Sequence, residues 1–236
     1  MGSLLRLFGR RYYRRVLATA PIAYWPLWEG AGAVAYDISG NARNGAYTGV
    51  DLGQVGIGDG RACPWFDGTG DYVNIYSAAF AADLDGAEGS AMVWPRVNSA
   101  GAWIDGATRD VLTLAADGNN YIKLRKSAVN NTAFWEYKAG GVSKSVSVIT
   151  SILPYACWVL TWSAAGDEVR AYLNGVQQGT TQTTLGIWAG PLAPTFCTIG
   201  AASTVPAAVF HGWEAHAAVW NRALPLAEVA SLARAA

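Results

Sequence analysis

Residues 167–179, DEVRAYLNGVQQG, contain the local pattern that most clearly decides the fold. Apolar residues alternate with charged and aromatic ones from residue 169 to residue 173, so the two kinds of side chain point to opposite faces of a strand. Asn174 and Gly175 follow, and both accept the positive φ that a two-residue type I′ turn requires. The stretch therefore predicts an antiparallel β-hairpin.

Similar alternating segments lie on both sides of this hairpin. The segments predicted to be strands are IAYWPLW, YVNI, SAMVWPRV, VLTL, YIKLR, AFWEY, SVSVI and CWVLTW, with turn sequences such as DGTGD and ADGNN between them. The 236 residues are 52% hydrophobic and 14% charged, which excludes a disordered chain. One helix is predicted near the end of the chain, with Pro225 at its start and Leu226, Val229 and Leu232 at helical steps. The pattern indicates one all-β domain over residues 22–236.

The first 21 residues differ in character from this body. Seventeen basic and seventeen acidic residues cancel overall, which excludes a protein that coats polyanions, yet the first 28 residues hold five arginines and no acid. Apolar residues at helical steps and an arginine stripe predict a basic amphipathic arm over residues 1–21 that docks on a partner. The proposed docking residues are Leu5, Phe8, Arg10, Arg11, Tyr12, Arg14 and Arg15. A frayed tail, a membrane surface and nucleic acid are the alternatives, and removal of residues 1–20 is expected to leave the body folded.

The sequence contains two segments that imitate targeting signals. Arginines interrupt every apolar run near the amino terminus, so no secretory signal is expected. Residues 145–166 are uncharged but contain Pro154, and they are predicted to form two buried strands rather than a transmembrane helix. Cys63, Cys157 and Cys197 are predicted to be buried thiols, with a disulfide between the last two as the alternative.

Two groups of residues are candidates for binding. Asp37, Ser39, Asn41 and Asn44 offer oxygen ligands for Ca²⁺ within one loop, although a network of Asx turns without metal would use the same residues. A sugar-binding surface would need exposed aromatic rings beside polar groups. Its candidates are Trp103, Asp105, Trp135, Tyr137, Trp188 and Trp213, with packing in the core as the alternative for each aromatic residue. Because residues 134–137 alternate, either the pair Trp135 and Tyr137 or the pair Phe134 and Glu136 faces outward.

The order of several segments resembles a known family. These segments are Ala23-Tyr24-Trp25-Pro26-Leu27, Asp37-Ile38-Ser39-Gly40-Asn41, Phe66-Asp67-Gly68-Thr69-Gly70-Asp71-Tyr72-Val73, Trp158-Val159-Leu160-Thr161-Trp162, Tyr172-Leu173-Asn174-Gly175, Ile199-Gly200 and Trp220-Asn221-Arg222-Ala223-Leu224 with Glu228. Together they resemble the laminin G-like, concanavalin A-like lectin and glucanase family over about residues 22–234. The resemblance implies an antiparallel jelly-roll sandwich of two sheets, here with a short N-terminal helical arm and a short C-terminal helix. It also implies carbohydrate or protein binding and, in many members, calcium.

The last strand departs from the family pattern. An acidic pair is common there, whereas this chain has Ala215 and His216, and this departure resembles variants in structural proteins of tailed phages. His211 and His216 are five residues apart, so they are expected on opposite faces of a strand, which disfavours a metal pair. A structural, hydrogen-bonded histidine is the preferred interpretation.

Catalysis is not expected. A glycosidase needs two carboxylates at a set separation, and hydrolases of this fold place them on one strand face in an E-x-D pattern that the chain lacks. The leading hypothesis is a non-catalytic module of a phage virion, a decoration or tail-associated protein made in the host cytoplasm. It would be oligomeric or bound in a lattice, docked by its arm, and free to bind surface glycans but no specific nucleic acid. The alternatives are a free extracellular lectin assisted by calcium, and a glycan hydrolase that would use Asp105 or Glu136.

Overall fold

Strands make up most of the chain in the computed structural model, which describes residues 12–84, 86–151 and 154–234. The strands are β1 (Ala23–Trp25), β2 (Val34–Ala35), β3 (Gly45–Thr48), β4 (Asp51–Val55), β5 (Ala62–Asp67), β6 (Tyr72–Asn74), β7 (Glu88–Val97), β8 (Arg109–Asp117), β9 (Asn120–Lys126), β10 (Thr132–Ala139), β11 (Val142–Ile149), β12 (Trp158–Ser163), β13 (Glu168–Leu173), β14 (Val176–Gln182), β15 (Cys197–Ile199) and β16 (His211–Trp220). The helices are α1 (Tyr12–Leu17), α2 (Ala78–Asp83), α3 (Ala100–Trp103) and α4 (Leu226–Leu232), with a 3₁₀ turn at Pro194–Phe196.

The strands form two eight-stranded sheets in which neighbouring strands run antiparallel. Sheet I has the order β14-β13-β12-β7-β16-β5-β4, with β1 also paired to β16, and sheet II has the order β11-β10-β9-β8-β15-β6-β3-β2. In sheet I, β7 lies between β12 and β16, and in sheet II, β15 lies between β8 and β6, so segments far apart in sequence are neighbours in both sheets. The prediction of a two-sheet antiparallel sandwich with short terminal helices is confirmed.

The main core lies between the two sheets. Alternate residues of each strand point inward, and large rings such as Trp25, Phe66, Trp135 and Trp158 are almost completely buried there. Burial of each such side chain contributes about 1.5–3 kcal/mol to folding. This interior packing fixes the side of each sheet that remains for a ligand.

The hairpin predicted from residues 167–179 is present. Leu173 of β13 pairs with Val176 of β14, and the residues between them have positive φ, 50° for Asn174 and 79° for Gly175. Val169 and Ala171 point into the core, as the alternation predicted.

A second apolar cluster covers part of the outer face of sheet I. Met92 and Trp94 project outward from β7, and α1 and α4 cover them with Tyr12 and Leu232. The Tyr12 hydroxyl donates a hydrogen bond to the Leu232 carbonyl at 2.8 Å and accepts one from Trp94 Nε1 at 2.5 Å. Sheet I is therefore apolar on both faces where the helices cover it.

This packing corrects the prediction of a separate docking arm. Tyr12 is 1% exposed, and Arg15 donates hydrogen bonds to the Ser231 and Arg234 carbonyls, so neither is free for a partner. The reason is that the apolar stripe of α1 fits the apolar outer face of the chain's own sheet. Arg14 is exposed. Leu5, Phe8, Arg10 and Arg11 lie outside the described residues.

The expectation that residues 1–20 can be removed without harm is therefore wrong for residues 12–20. Val16 is fully buried, and Trp220 Nε1 donates a hydrogen bond to Thr19 Oγ1 at 3.0 Å. A deletion that ends after residue 11 keeps these contacts, whereas a deletion through residue 20 exposes the cluster.

Two further expectations concern the thiols and the membrane. Cys63, Cys157 and Cys197 are free and buried, as predicted, and Cys157 and Cys197 do not form a disulfide. In the described part of the chain, none of the helices has the length and apolar character needed to cross a bilayer.

Candidate functional site

Three of the predicted sugar-binding residues lie inside the sandwich. Trp103 is 1% exposed, and Trp135 and Tyr137 are fully buried in the core between the sheets. The alternation in sequence predicted that β10 is a strand but not which of its faces points into the core. In the structure, Phe134 and Glu136 point outward. The predicted sugar-stacking roles of Trp103, Trp135 and Tyr137 are therefore wrong.

Asp105 takes part in ion pairs rather than in a ligand site. Its carboxylate accepts hydrogen bonds from Lys126 Nζ at 2.5 Å and Arg109 Nε at 2.9 Å. Although partial burial alone would raise the pKa of Asp105, the hydrogen bonds from Lys126, the Ala107 amide and Arg109 lower it to about 2. Asp105 is therefore an ionised partner for a buried lysine.

Trp188 is only partly buried, yet its ring is held by neighbours. It lies 6.2 Å from the Tyr137 ring, measured between centroids, and a Cβ on Gly86 would meet it at 2.1 Å. Its Nε1 donates a hydrogen bond to the Gly190 carbonyl. Trp188 closes one end of the core, which leaves it little free ring face for a ligand.

The predicted calcium loop forms a hydrogen-bonded turn. The Asp37 carboxylate accepts four hydrogen bonds, from the amides of Tyr24, Ser39 and Arg43 and from Ser39 Oγ, at 2.8–2.9 Å. The Asn44 side-chain oxygen accepts from the Asp37 amide, and Asn41 Nδ2 donates to the Ile22 carbonyl. These contacts are those of the alternative interpretation, a network of Asx turns. Calcium would have to displace the N–H and O–H groups that already donate to the Asp37 carboxylate. Among the described residues, no group of three or more His, Cys, Asp or Glu side chains is placed to hold a metal.

His216 has a structural, hydrogen-bonded environment. It is 1% exposed, its Nδ1 lies 2.6 Å from the Tyr24 hydroxyl, and its Nε2 lies 3.0 Å from Asp59 Oδ2. The register of β16 shifts between Ala215 and Ala218, and His216 has a φ of 53°. This bulge turns His216 to the same outer face as His211, so the prediction of opposite faces is wrong.

The remaining candidate, Trp213, lies on the outer face of sheet I beside a cleft. The cleft has a volume of 590 Å³ and is lined by residues 56–58, Trp94, Arg96, Pro154 and Tyr155. We call it the arginine cleft. Its volume is within the range of about 300–1,000 Å³ that is usual for small-molecule sites.

Aromatic rings flank Arg96 at the cleft. The Arg96 guanidinium carbon lies 4.5 Å from the centroid of the Trp213 ring and 5.9 Å from that of Tyr155. The Tyr155 hydroxyl donates to the Val55 carbonyl at 2.7 Å, which fixes this wall against β4. Trp65 of β5 pairs directly with Trp213, and both rings are partly exposed. Trp65, Trp213, Arg96 and Tyr155 therefore form a continuous row across the outer face of sheet I.

The charge of the arginine cleft is unbalanced. Within the described residues the Arg96 guanidinium makes no ion pair and no hydrogen bond, and none of the residues that line the cleft is acidic. Arg61 lies on the neighbouring turn, with its guanidinium 4.3 Å from the centroid of the Trp28 ring. Asp59, close by in sequence, is buried and bound to His216. Burial raises the pKa of the nearby Cys63 thiol to about 11, so this cysteine is not a thiolate nucleophile at neutral pH.

A second cleft lies on the outer face of sheet II. It has a volume of 320 Å³ and is lined by Thr108, Tyr121, Arg125, Ser127, Phe134 and Glu136. Glu136 forms an ion pair with Arg125 and accepts a hydrogen bond from Ser143 Oγ at 2.5 Å. The charges in this cleft are thus paired within the protein, in contrast to those in the arginine cleft.

Sequence reasoning missed Trp65, Arg96 and Tyr155. Their proximity depends on the register of β5, β7 and β16, strands that are far apart in sequence. The one local signal was SAMVWPRV, in which Arg96 and Trp94 fall on one face of a strand. The sequence predicts that segment only as a strand, without indicating which of its faces lies outside.

Comparisons with known proteins agree with the fold. The family model described as the concanavalin A-like lectin/glucanases superfamily matches residues 66–230. None of the curated proteins matches the sequence.

Several solved structures resemble the chain at low sequence identity. Domain 4 of AbnA, an extracellular GH43 arabinanase from Geobacillus stearothermophilus solved with arabinotriose, has a TM-score of 0.64 and 15% identity over 91% of this chain and 98% of that one. Trypanosoma rangeli sialidase in complex with sialic acid has a TM-score of 0.66 and 14% identity, over 91% of this chain and 33% of the sialidase. The binding domain of botulinum neurotoxin serotype D has a TM-score of 0.61 and 14% identity, over 91% of this chain and 51% of that domain. At these identities the likeness shows the fold alone.

Proposed function

Starting from a chain that belongs to the concanavalin A-like lectin/glucanases superfamily, we propose that this protein is a non-catalytic module that binds glycans in the arginine cleft. The observation that carries the proposal is the row of partly exposed rings and one unpaired guanidinium, Trp65, Trp213, Arg96 and Tyr155, beside a cleft of 590 Å³.

The chemistry of the cleft supports a sugar ligand. A pyranose ring has an apolar C–H face that packs on an aromatic ring and hydroxyl groups that need polar partners at its edge. Trp213 and Tyr155 offer rings, and Arg96 offers N–H donors between them. The solved complex of the arabinanase domain with arabinotriose is a further reason to test glycans on this fold.

The arrangement of carboxylates supports a module without catalysis. The lining of the arginine cleft contains no carboxylate, and that of the second cleft contains only Glu136. Glu136 and Asp105 are each held by a cation, Arg125 and Lys126 respectively. A glycosidase would need two carboxyl groups on either side of one bond, one of them able to hold a proton.

Replacement of Trp213 by alanine is expected to weaken glycan binding at least about tenfold, because the platform ring is lost. The measurement is a glycan array followed by calorimetric titration of the tightest ligand. Tyr121→Ala is the matched control, since it removes a partly exposed ring from the second cleft and leaves the arginine cleft intact.

Two results would contradict the proposal. One is the absence of binding to any glycan of the array. The other is loss of binding in Tyr121→Ala with normal binding in Trp213→Ala, which would place the ligand on sheet II.

We further propose that this module is carried by a larger assembly, with a phage virion as the candidate and an extracellular lectin as the alternative. The support is the cationic sequence of residues 1–11, which precedes a helix that is fixed on sheet I. A docking segment that is anchored at one end loses less conformational entropy on binding than a free tail does. A homo-oligomer or lattice would then present many glycan sites at once.

Deletion of residues 1–11 is expected to abolish incorporation into the native particle while the melting temperature stays within a few degrees, because Tyr12 and Val16 remain. The particles are purified by density gradient and probed for the protein. Arg234→Gln is the control, because it removes one positive charge from an exposed residue outside residues 1–21. Normal incorporation of the deleted protein would show that this segment does not dock the module.

A further inference from the structure

We propose that the ligand of the arginine cleft is an anionic glycan, one whose sugars bear carboxylate or sulfate groups. This inference rests on the proposed function, because it names the ligand class of the same site. It starts from Arg96, whose positive charge is held between two aromatic rings with no acidic partner among the described residues.

Neighbouring rings hold the Arg96 guanidinium in place. Trp213 and Tyr155 contact it through cation–π interactions, which restrain the side chain but use none of its N–H donors. A guanidinium has five such donors in a planar fork, and a carboxylate or sulfate accepts two of them side by side. Because the rings already restrict the Arg96 side chain in the free protein, an anion can bind it with little further loss of side-chain entropy.

The surroundings favour an anion over a neutral sugar. Arg61, on the turn between β4 and β5, adds a second positive charge near the cleft, and it too makes no ion pair within the described chain. The nearest carboxylate in sequence, Asp59, is 3% exposed and turned to His216. Glu214 is fully buried on the core side of β16, so its side chain does not reach the cleft. Neither arginine therefore forms an ion pair with a described acid.

The second cleft shows the contrast. Arg125 there has a similar aromatic neighbour, Phe134 at 5.1 Å, but its charge is neutralised by Glu136. Among the described residues, the arginine–aromatic cleft on sheet II thus has an internal counter-ion, whereas the arginine cleft has none. Only the arginine cleft therefore gains a new ion pair when an acidic sugar binds.

The test compares glycans that differ only in charge. Hexagalacturonate and its methyl ester form one pair, and sialyllactose and its methyl ester form another. In the wild-type protein we expect the acid of at least one pair to bind about tenfold to a hundredfold more tightly than its ester. That preference should weaken as salt is raised.

Arg96→Gln is expected to remove the preference for the acid, so that acid and ester bind alike. Arg96→Lys keeps the charge but not the planar fork, and it should retain part of the preference. Arg14→Gln is the matched control, because it removes one positive charge from an exposed residue that does not line the cleft. Thermal melting of all variants checks that they are folded.

Each outcome has one meaning. If the esters bind as tightly as the acids, or if Arg96→Gln keeps the preference, the anionic ligand class is wrong while the proposed glycan site stands. If neither acids, esters nor any other glycan binds, the proposed function itself is wrong, and this inference falls with it.

Discussion

Glu214→Gln is expected to stabilise the folded protein at pH 7, by an amount that increases as pH rises above the unfolded pKa of a glutamate. Glu214 is fully buried, and neither of its carboxylate oxygens has a hydrogen-bond partner among the described residues. Burial raises the pKa of this carboxyl well above its ordinary value. Above the unfolded pKa, folding of the wild-type chain must therefore either bind a proton or bury an anion, and the glutamine variant avoids that cost.

The stabilisation by Glu214→Gln should increase with pH. An acid whose pKa is raised by folding causes no penalty below its unfolded pKa of about 4.3, and it destabilises the protein as pH rises above that value. The difference in the free energy of unfolding between Glu214→Gln and wild type should be near zero at pH 4. It should then grow by about 1.4 kcal/mol for each pH unit until the folded pKa is reached.

Urea unfolding of both proteins between pH 4 and pH 8 measures this difference. Asp117→Asn serves as the control, because Asp117 is an exposed carboxylate whose pKa is lowered by hydrogen bonds from the Asn119 amide and the Asn120 side chain. Parallel stability curves for Glu214→Gln and wild type would show that Glu214 is not a buried, protonated group.

Asp105→Asn is expected to destabilise the protein by about 3 kcal/mol, because it leaves the Lys126 ammonium without its counter-ion. The Lys126 side chain is completely buried, and besides its contact with Asp105 its ammonium donates a hydrogen bond to the Ala107 carbonyl at 2.9 Å. The lowered pKa of Asp105 means that its ionised form stabilises the fold above about pH 4 and that this contribution is lost as pH falls toward 2. The decrease in the free energy of unfolding caused by Asp105→Asn should accordingly be greatest at neutral pH.

A second variant separates the ion pair from other effects. Lys126→Met removes the buried charge, so adding Asp105→Asn to it should cost much less than Asp105→Asn alone. Denaturant unfolding of the wild type, the two single variants and the double variant gives the coupling energy between Asp105 and Lys126. If Asp105 were instead a catalytic acid, Asp105→Asn would remain stable and lose sugar release. That result would restore the hydrolase alternative.

The fold could be predicted because its signals are local. Period-two alternation and Asn174-Gly175 specify strands and a turn from neighbouring residues alone, and the family segments fix their order. The buried state of Trp135 could not be predicted, since alternation leaves open which of two faces is inside. The same limit applies to His216, where a bulge of one residue reverses the face.

The candidate site was less predictable because it depends on contacts between distant segments. Trp65, Arg96 and Trp213 become neighbours only through strand register, and the N-terminal helix covers one end of their face. The sequence identified Trp213 as a candidate but offered no reason to prefer it over Trp103. Its position beside an unpaired arginine supplies that reason.

The most direct test of the glycan site is an NMR titration of protein labelled with ¹⁵N in its tryptophan indoles. The tightest glycan of the array is the ligand, and single substitutions assign the signals. The account predicts that the signals of Trp65, Trp94 and Trp213 shift together while those of the buried Trp135 and Trp162 stay in place. Shifts confined to Trp188 or Trp103, with none at Trp213, would contradict it.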